Sequence, residues 1–371
     1  MIHRNAFHEP SAIKRNAFQE PSVTPSRIPS HVDIFTTSYT SNLAKTLAVL
    51  LRTSGINAQM HIRNIVAQDI NAASTEAGRY FIVFSPHHLL CGRDHDGTMR
   101  RPSSLPPIPK GKYILYQTEP LHDNKRVWMT PYFTELARNS LITFEYSRHN
   151  LHFYKDMNNV RLFSNLAAMP GDTVEKETDV LFYGTMDPER QKIIDKIKEF
   201  NSVKVLEHVF GDDLSEEIAK SRVVLNIRSR EDSLLEKPRL CEAICHDVVI
   251  ISDRPSRHED CVFSKYIRFI KSVSHDTDRR ANDFSMYVSL ALNPMGPSYD
   301  FDKRRRHIER SCIKEFMDSY AVWNVKTMVS ILMAEPYSIE MKYPSVIKCL
   351  EDASENPKIL HRIRCFGGTK L

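Results

Sequence analysis

Short apolar runs alternate with amphipathic helical stretches along this chain, a pattern that few folds accommodate. The first run lies at 32–37, and the helix predicted over 42–53 places its leucines on one face. Further apolar runs bounded by turn residues occupy 58–62, 80–84 and 113–117. Strands that alternate with helices predict a mostly parallel sheet with helices on both faces.

The same alternation begins again near residue 179. Further strands are predicted at 179–184, 203–206, 222–227 and 248–252, and helices at 190–200, 214–220 and from Pro238 to Cys245. Two series of similar size predict an α/β protein with two Rossmann-like domains that face a cleft. Parallel sheets bind ligands at the carboxyl ends of their strands, so candidate site residues are sought there.

The domain limits follow from where these patterns start and stop. Residues 1–30 are expected to form a disordered tail, because the repeated octets RNAFHEPS and RNAFQEPS are polar and lack apolar periodicity. We expect an N-terminal domain at 31–165 and a C-terminal domain at 166–335, which ends in a long helix over 304–333. A C-terminal extension occupies 336–371.

Composition restricts the class of protein. The net charge of +5 is small for 371 residues and the basic residues are dispersed, so nucleic acid is not expected as a partner. The seven cysteines are odd in number and irregularly spaced, which favours a reduced protein over a disulfide scaffold. The sequence shows no membrane-spanning apolar stretch and no signal peptide. We therefore expect a cytoplasmic protein without a transmembrane segment.

The first candidate site follows the strand at 179–184. Gly184 lets the backbone approach a ligand closely, and together with Thr185 it leads into a helix whose N-terminus favours an anion. Arg190 in that helix has the reach to bind a phosphate. The alternative is a plain strand–turn–helix junction with a surface arginine.

The second candidate site combines Asn226, at the end of a buried strand, with Glu236, Arg239 and Glu242 around the start of the next helix. Carboxylates suit vicinal diols because each accepts two hydrogen bonds, and a cation offsets the charge of a diphosphate. The structural alternative is an acidic helix cap at Glu236 and a surface pair of Arg239 with Glu242.

The run from 179 to 253 resembles the nucleotide-sugar-binding domain of GT-B glycosyltransferases of the bacterial and viral group-1-like kind. The matching residues are Phe182-Tyr183-Gly184, Arg190, Leu225-Asn226-Ile227, Leu234-Leu235-Glu236, Arg239, Glu242 and Ile251-Ser252-Asp253. Phe144 to Asn150 is similar to a DYS-x-x-N element near the end of the N-terminal domain in such proteins. The resemblance implies a GT-B fold and a nucleoside-diphosphate sugar bound by Gly184, Thr185, Arg190, Asn226, Glu236, Arg239 and Glu242.

The sequence departs from the family pattern at three places. The E-x7-E motif would need a glutamate at Leu234, His246-Asp247 replaces the usual glycine, and Asp253 stands where glutamate is common. Retaining stereochemistry therefore does not follow from the resemblance.

The N-terminal half is expected to present the acceptor hydroxyl, on a glycan, a protein or a lipid-linked molecule. Glu119 and His122 end a predicted strand, and either is a candidate base. The alternative is a loop-capping glutamate and a solvated histidine. Residues 38–42 follow the first strand and should face the same cleft. Arg239 would stabilise the departing diphosphate, so neither a metal nor a cofactor is required.

Other constellations are weaker candidates. The D-x-D matches Asp94-His95-Asp96 and Asp300-Phe301-Asp302 are interpreted as loop acids, and the spacing of Cys241 and Cys245 fits no zinc finger. Two further functions stay open: a sugar-nucleotide epimerase, and a catalytically degenerate GT-B domain that binds carbohydrate or a partner.

Overall fold

A computed structural model describes the parts of the chain that carry both predicted series. The described residues are 31–53, 55–62, 70, 78–90, 110–119, 121–123, 126–127, 129–162, 174–228, 234–246, 248–255, 267–271 and 276–293. The predicted tail, the helix over 304–333, the C-terminal extension and both D-x-D matches lie outside these ranges, as does the side chain of His122.

A six-stranded sheet, parallel throughout, forms the first half of the structure. The strands of this half are β1 (His31–Thr36), β2 (Ala58–Ile62), β3 (Arg79–Phe84), β4 (Tyr113–Gln117), the short antiparallel pair β5 (His122–Asp123) and β6 (Arg126–Val127), β7 (Ile142–Glu145) and β8 (Val160–Leu162). The sheet order is β2-β1-β3-β4-β7-β8. Its helices are α1 (Ser41–Thr53), α2 (Pro86–Leu89) and α3 (Pro131–Asn139), with 3-10 turns at Ser38–Thr40 and Arg148–Tyr154.

A five-stranded parallel sheet forms the second half, in the order β10-β9-β11-β12-β13. Its strands are β9 (Thr178–Tyr183), β10 (Val203–Leu206), β11 (Ser221–Asn226), β12 (Val249–Ser252) and β13 (Ile267–Phe269). Its helices are α4 (Pro188–Lys198), α5 (Gly211–Ala219), α6 (Lys237–Ile244) and α7 (Thr277–Leu292). The two parallel sheets confirm the predicted class, α/β with two Rossmann-like units.

Helix α1 connects the two halves through a shared apolar cluster. Leu47 of α1, Leu214 of α5 and Leu240 of α6 are buried in this one cluster together with residues of both sheets. The predicted leucine face of α1 is therefore buried partly against its own sheet and partly against helices of the second half.

The strands predicted from apolar runs are present within one residue of their predicted bounds. Strands β5, β6, β7, β8 and β13 and helices α2, α3 and α7 were not predicted. Strand β7 carries the buried polar side chains Thr143 and Glu145, which interrupt its apolar pattern, and β8 is largely exposed. Helix α7 was missed because its buried face includes the charged side chain of Arg280.

A buried ion pair fastens α7 to the second sheet. Arg280 is 1% exposed and donates from Nε and Nη2 to the carboxylate of Asp253, at 3.1 and 2.8 Å. Its Nη1 donates to Glu189 Oε1 of α4 at 2.9 Å. Asp253 also accepts from the backbone amide of Arg228, so this carboxylate organises three segments at the end of β12.

None of the helices in the described part combines the length and the apolarity needed to cross a lipid bilayer.

Replacing Arg280 with methionine should destabilise the protein strongly, because it leaves the carboxylate of Asp253 buried without its counter-charge. We expect a loss of roughly 3–5 kcal/mol in the free energy of unfolding, measured by urea denaturation. The matched control is Arg279→Met, the same change at an exposed site one residue away on α7, which should cost less than about 0.5 kcal/mol. Equal losses in the two variants would contradict this assignment.

Candidate active site

The carboxyl ends of the two sheets are joined by hydrogen bonds. Asn42, which follows β1, donates from Nδ2 to the carbonyl of Gly211, after β10, at 3.0 Å. Lys237, at the start of α6, donates from Nζ to the carbonyl of Tyr146, after β7, at 2.9 Å. The carboxyl edges of both sheets, where parallel sheets bind ligands, therefore lie against each other.

Gly184 and Arg239 are in close contact at the end of β9. Gly184 has a φ of +132°, and a Cβ built on it would lie 2.8 Å from Nη2 of Arg239. The amide of Gly184 donates to the carbonyl of Leu206 at 3.0 Å, so it is engaged by the protein. Glycine at this position thus leaves space for the Arg239 guanidinium. A ligand at this loop would contact the Arg239 side chain and not the amide of Gly184.

A chain of charges runs from Arg239 into the core of the second half. Arg239 Nη1 lies 2.8 Å from Oε2 of Glu236, and Arg190 Nη2 lies 3.4 Å from Oε1 of the same carboxylate. Glu236 is the N-cap residue of α6 but makes no side-chain cap hydrogen bond. Its carboxylate bridges two arginines, so the predicted acidic helix cap is not what the structure contains.

Arg190 supports the loop at Gly184 from beneath. It is 4% exposed, and its Nε and Nη1 donate to the carbonyls of Ile227 and Thr185 at 2.9 and 2.7 Å. The N-terminus of α4 is also occupied, because Asp187 accepts from the amides of Glu189 and Arg190. The expected phosphate position at this helix is therefore filled by a carboxylate of the protein. The exposed residue Thr185 contributes its carbonyl to this support.

Glu242 is a buried carboxylate on the inner face of α6. It is 6% exposed, and within the described residues it makes no hydrogen bond. Burial raises its pKa to about 8, although the nearby charge of Arg239 acts in the opposite direction. Buried polar groups in proteins almost always have partners, which makes this carboxyl a candidate ligand group.

At this edge of the second sheet, one buried atom of Asn226 and one of Arg239 also lack hydrogen-bond partners within the described part of the chain. The amide of Asn226 donates from Nδ2 to Ser252 Oγ at 2.9 Å, but its Oδ1 accepts nothing. Arg239 Nη1 contacts Glu236 without the alignment of a hydrogen bond and is likewise unsatisfied. The second sheet thus brings together an unsatisfied acceptor, an unsatisfied cationic donor and a buried carboxyl.

The departures from the glycosyltransferase pattern have structural explanations. Leu234, at the missing E-x7-E glutamate, is a buried apolar side chain. Asp253 is held by Arg280, and His246 lies just past the C-terminus of α6, where burial lowers its pKa to about 4. These three positions therefore serve packing and ion pairing.

The edge of the first sheet is organised around Glu145, which sequence analysis did not assign. This fully buried carboxylate accepts from the amide of Ser147 at 3.0 Å and from Asn150 Nδ2 at 2.8 Å. Desolvation raises its pKa to about 8, against the opposite effect of these hydrogen bonds. Asn150 also bonds the carbonyl of Glu119 and the amide of Leu121, at 3.1 and 3.0 Å. The candidate base Glu119 therefore lies on a loop whose backbone is fixed by the 144–150 element.

The remaining candidates lie apart from this edge or lack the predicted chemistry. The described residues contain no group of His, Cys, Asp and Glu side chains that suits a metal ion. Cys241 is buried in the core and Cys245 bonds back to its carbonyl. A surface groove of about 700 Å³ lies between α4 and α7, where Lys192 pairs with Asp278, and it includes none of the predicted site residues.

Comparison with known proteins gives partial matches. No protein-family model matches the chain. A segment of 104 residues is 43% identical to the uncharacterized protein L138 of Acanthamoeba polyphaga mimivirus and covers 27% of this chain and 12% of that protein.

Among solved structures, the chain is similar to glycosyltransferases. TarM aligns with a TM-score of 0.43 at 11% identity, over 69% of this chain and 55% of TarM, so the match spans about half of that protein. AviGT4, a glycosyltransferase involved in avilamycin A biosynthesis, aligns with a TM-score of 0.37 at 12% identity, over 77% of this chain and 98% of AviGT4. The glycotransferase of kitacinnamycin aligns with a TM-score of 0.36 at 9% identity, over 79% of this chain and 98% of that protein.

Gly184→Ala should displace the Arg239 guanidinium and destabilise the protein by at least about 1 kcal/mol, through steric contact as well as backbone strain. Gly55→Ala is the control, because Gly55 also has a positive φ but a Cβ there meets nothing within 4 Å. In an Arg239→Ala background the Gly184→Ala cost should fall by roughly 0.5–2 kcal/mol, as a double-mutant cycle in urea would show. A cost that does not depend on Arg239 would contradict the contact.

Glu242→Gln should alter how stability depends on pH. The pKa of Glu242 is raised from 4.5 to about 8 in the folded protein, so the folded state binds more protons than the unfolded state between these values. Wild-type stability therefore falls as pH rises through this window, and the glutamine variant should gain roughly 2–4 kcal/mol over wild type by about pH 8. The exposed control Glu175→Gln should follow wild type in denaturation curves across the same window. Parallel curves for wild type and Glu242→Gln would refute the pKa shift.

Proposed function

We propose that the protein is a glycosyltransferase that moves a sugar from a nucleoside-diphosphate sugar to an acceptor hydroxyl. The observation that carries the proposal is the buried carboxyl of Glu242 beside Arg239, at the carboxyl edge of a parallel sheet, which makes no hydrogen bond to any residue that the structure describes. Ligand crevices of open α/β sheets lie at this edge. A diphosphate attached to a sugar and a ribose supplies both an anion and vicinal diols, which match these two groups.

Arg239 is the residue best suited to the diphosphate. Its side chain is 18% exposed, whereas that of Arg190 is 5% exposed and contacts carbonyls of the protein. The planar guanidinium binds phosphate oxygens in bidentate fashion, and its charge would stabilise the leaving group as the glycosidic bond to the donor breaks. Glu236 would hold the guanidinium in position from the opposite side.

Glu242 and Asn226 would bind hydroxyl groups. A carboxylate accepts two hydrogen bonds from a vicinal diol, and the unsatisfied Oδ1 of Asn226 accepts one more. Glu119 stays the candidate base toward the acceptor, on the loop fixed by Asn150. Catalysis by such a site depends mainly on positioning and on stabilising the charge of the leaving group.

A panel of UDP-, GDP-, ADP-, dTDP- and CMP-sugars tests the donor site by thermal unfolding. One nucleotide should raise the melting temperature of the wild type, because a ligand that binds the native state stabilises it by mass action. Arg239→Ala and Glu242→Gln should lose this shift. The control Arg222→Ala, an exposed residue near the amino end of β11, should retain it.

Absence of a shift with all five sugar nucleotides would overturn the proposal. A shift without transfer or hydrolysis of the sugar would instead identify a binding protein with the degenerate site considered above. Release of free sugar from the stabilising nucleotide, measured with and without candidate acceptors, separates these outcomes.

Binding of the nucleotide should also release a proton from Glu242. The pKa of about 8 means that the carboxyl is mostly protonated at about pH 7, whereas acceptance of two hydroxyl hydrogens requires the carboxylate. Binding enthalpies of the wild type, measured by calorimetry in phosphate and in Tris, should therefore differ. The difference should correspond to the release of nearly one proton for each nucleotide bound. Glu242→Gln should give equal enthalpies wherever it still binds, and a buffer-independent wild type would argue against a diol on Glu242.

A further inference from the structure

Lys237 connects the two halves of the protein through a buried cation. Its side chain is 6% exposed, and its ammonium group donates to the carbonyl of Tyr146 at 2.9 Å and lies 5.8 Å from the centre of the Tyr146 ring. A second cation, Lys45, also crosses between the halves, where it contacts Asp212 at 2.7 Å, but both of those side chains are largely exposed. The contact of Lys237 is therefore the buried one of the two.

The position of Lys237 is electrostatically unfavourable. It is the first residue of α6, whose first turn carries no acidic side chain, and the N-terminus of a helix repels a cation. The cations Arg239 and Arg190 lie close by, on Glu236. Burial of an ammonium group adds a further desolvation cost. The hydrogen bond to the carbonyl of Tyr146, in the other half of the protein, offsets part of these costs.

The carbonyl of Tyr146 belongs to the segment that fixes the Glu119 loop. Glu145 accepts from the amide of Ser147 and from Asn150, and Asn150 in turn bonds the carbonyl of Glu119 and the amide of Leu121. Hydrogen bonds on either side of the peptide bond between Tyr146 and Ser147 thus lead from the start of α6 to the loop of the candidate base.

We propose that Lys237 is a positioning residue that couples occupation of the donor site on α6 to the order of the 145–150 segment and the Glu119 loop. The inference rests on the proposed function. A diphosphate on Arg239 restrains the first turn of α6, which restrains Lys237 and, through the carbonyl of Tyr146, the segment that holds Asn150. When a ligand orders one part of such a network, the motion of the other part is reduced as well.

Hydrogen exchange measured by mass spectrometry tests the coupling without an acceptor. In the absence of nucleotide, Lys237→Met should increase exchange of the amides of Ser147, Asn150 and Leu121 at least tenfold relative to wild type. The matched control is Lys45→Met, which removes the exposed contact between the same two halves and should leave these amides unchanged. Unchanged exchange in Lys237→Met would overturn the proposal.

The second part of the experiment adds UDP, GDP, ADP, dTDP and CMP in turn. The nucleotide that raises the melting temperature should protect residues 145–150 and 119–121 in the wild type. Lys237→Met should bind the same nucleotide within about threefold of the wild-type affinity and lose that protection. If Lys237 only stabilised the fold, its substitution would not abolish the protection of residues 145–150 and 119–121 while nucleotide affinity stayed nearly unchanged.

The outcomes distinguish this inference from the proposed function. Nucleotide binding without protection of 145–150 in the wild type overturns the coupling and leaves the donor site intact. If no nucleotide binds the wild type, the donor site itself is refuted, and the coupling that rests on it fails with it, whatever the first part showed.

Discussion

All strands of both large sheets run parallel, and the rest of the structure depends on this constraint. Parallel strands are covered on both faces, so their side chains are apolar along most of their length. Polar residues therefore collect where the strands end, and because all strands share one direction, those ends lie on one edge of each sheet. Asn226 at the end of β11 and Glu145 at the end of β7 are the clearest instances.

Helix α6 is the element on which the two edges converge. Leu240 and Cys241 pack into the apolar cluster that both halves share, so the helix is held firmly from one side. Its first residue, Lys237, bonds the first half, while Arg239 and Glu242 belong to the proposed donor site. One short helix thus carries a structural contact, an inter-sheet contact and the candidate ligand groups. Because α6 is short, we expect a substitution that alters one of these contacts to affect the others.

The sequence predicted most of the framework and only part of the site. Apolar runs such as that of β9 are recognisable because burial on both sheet faces leaves no room for polar residues. Strand β7 and the role of Glu145 were missed for the converse reason, since a buried carboxylate breaks the apolar pattern and its hydrogen bonds to Ser147, Asn150 and Tyr154 form only in the folded chain. From the sequence alone, Lys237 would be interpreted as a solvated lysine before a proline. Its contact with the other half of the protein is visible only in the folded structure.

The balance of charge at α6 explains why an anionic ligand suits this edge. Arg190 and Arg239 both contact the carboxylate of Glu236, and Nε of Arg190 also lies 3.6 Å from Oδ2 of Asp187. Glu242 lies beside them, and its carboxyl remains protonated below about pH 8. Burial destabilises the ionised form of this carboxyl more than the positive charge of Arg239 stabilises it. Arg239 is the more exposed of these two arginines, and its Nη1 makes no hydrogen bond within the described residues. In the proposed complex a diphosphate would bind Arg239, and hydroxyl groups that donate to Glu242 would favour its ionised form, with the proton released to solvent.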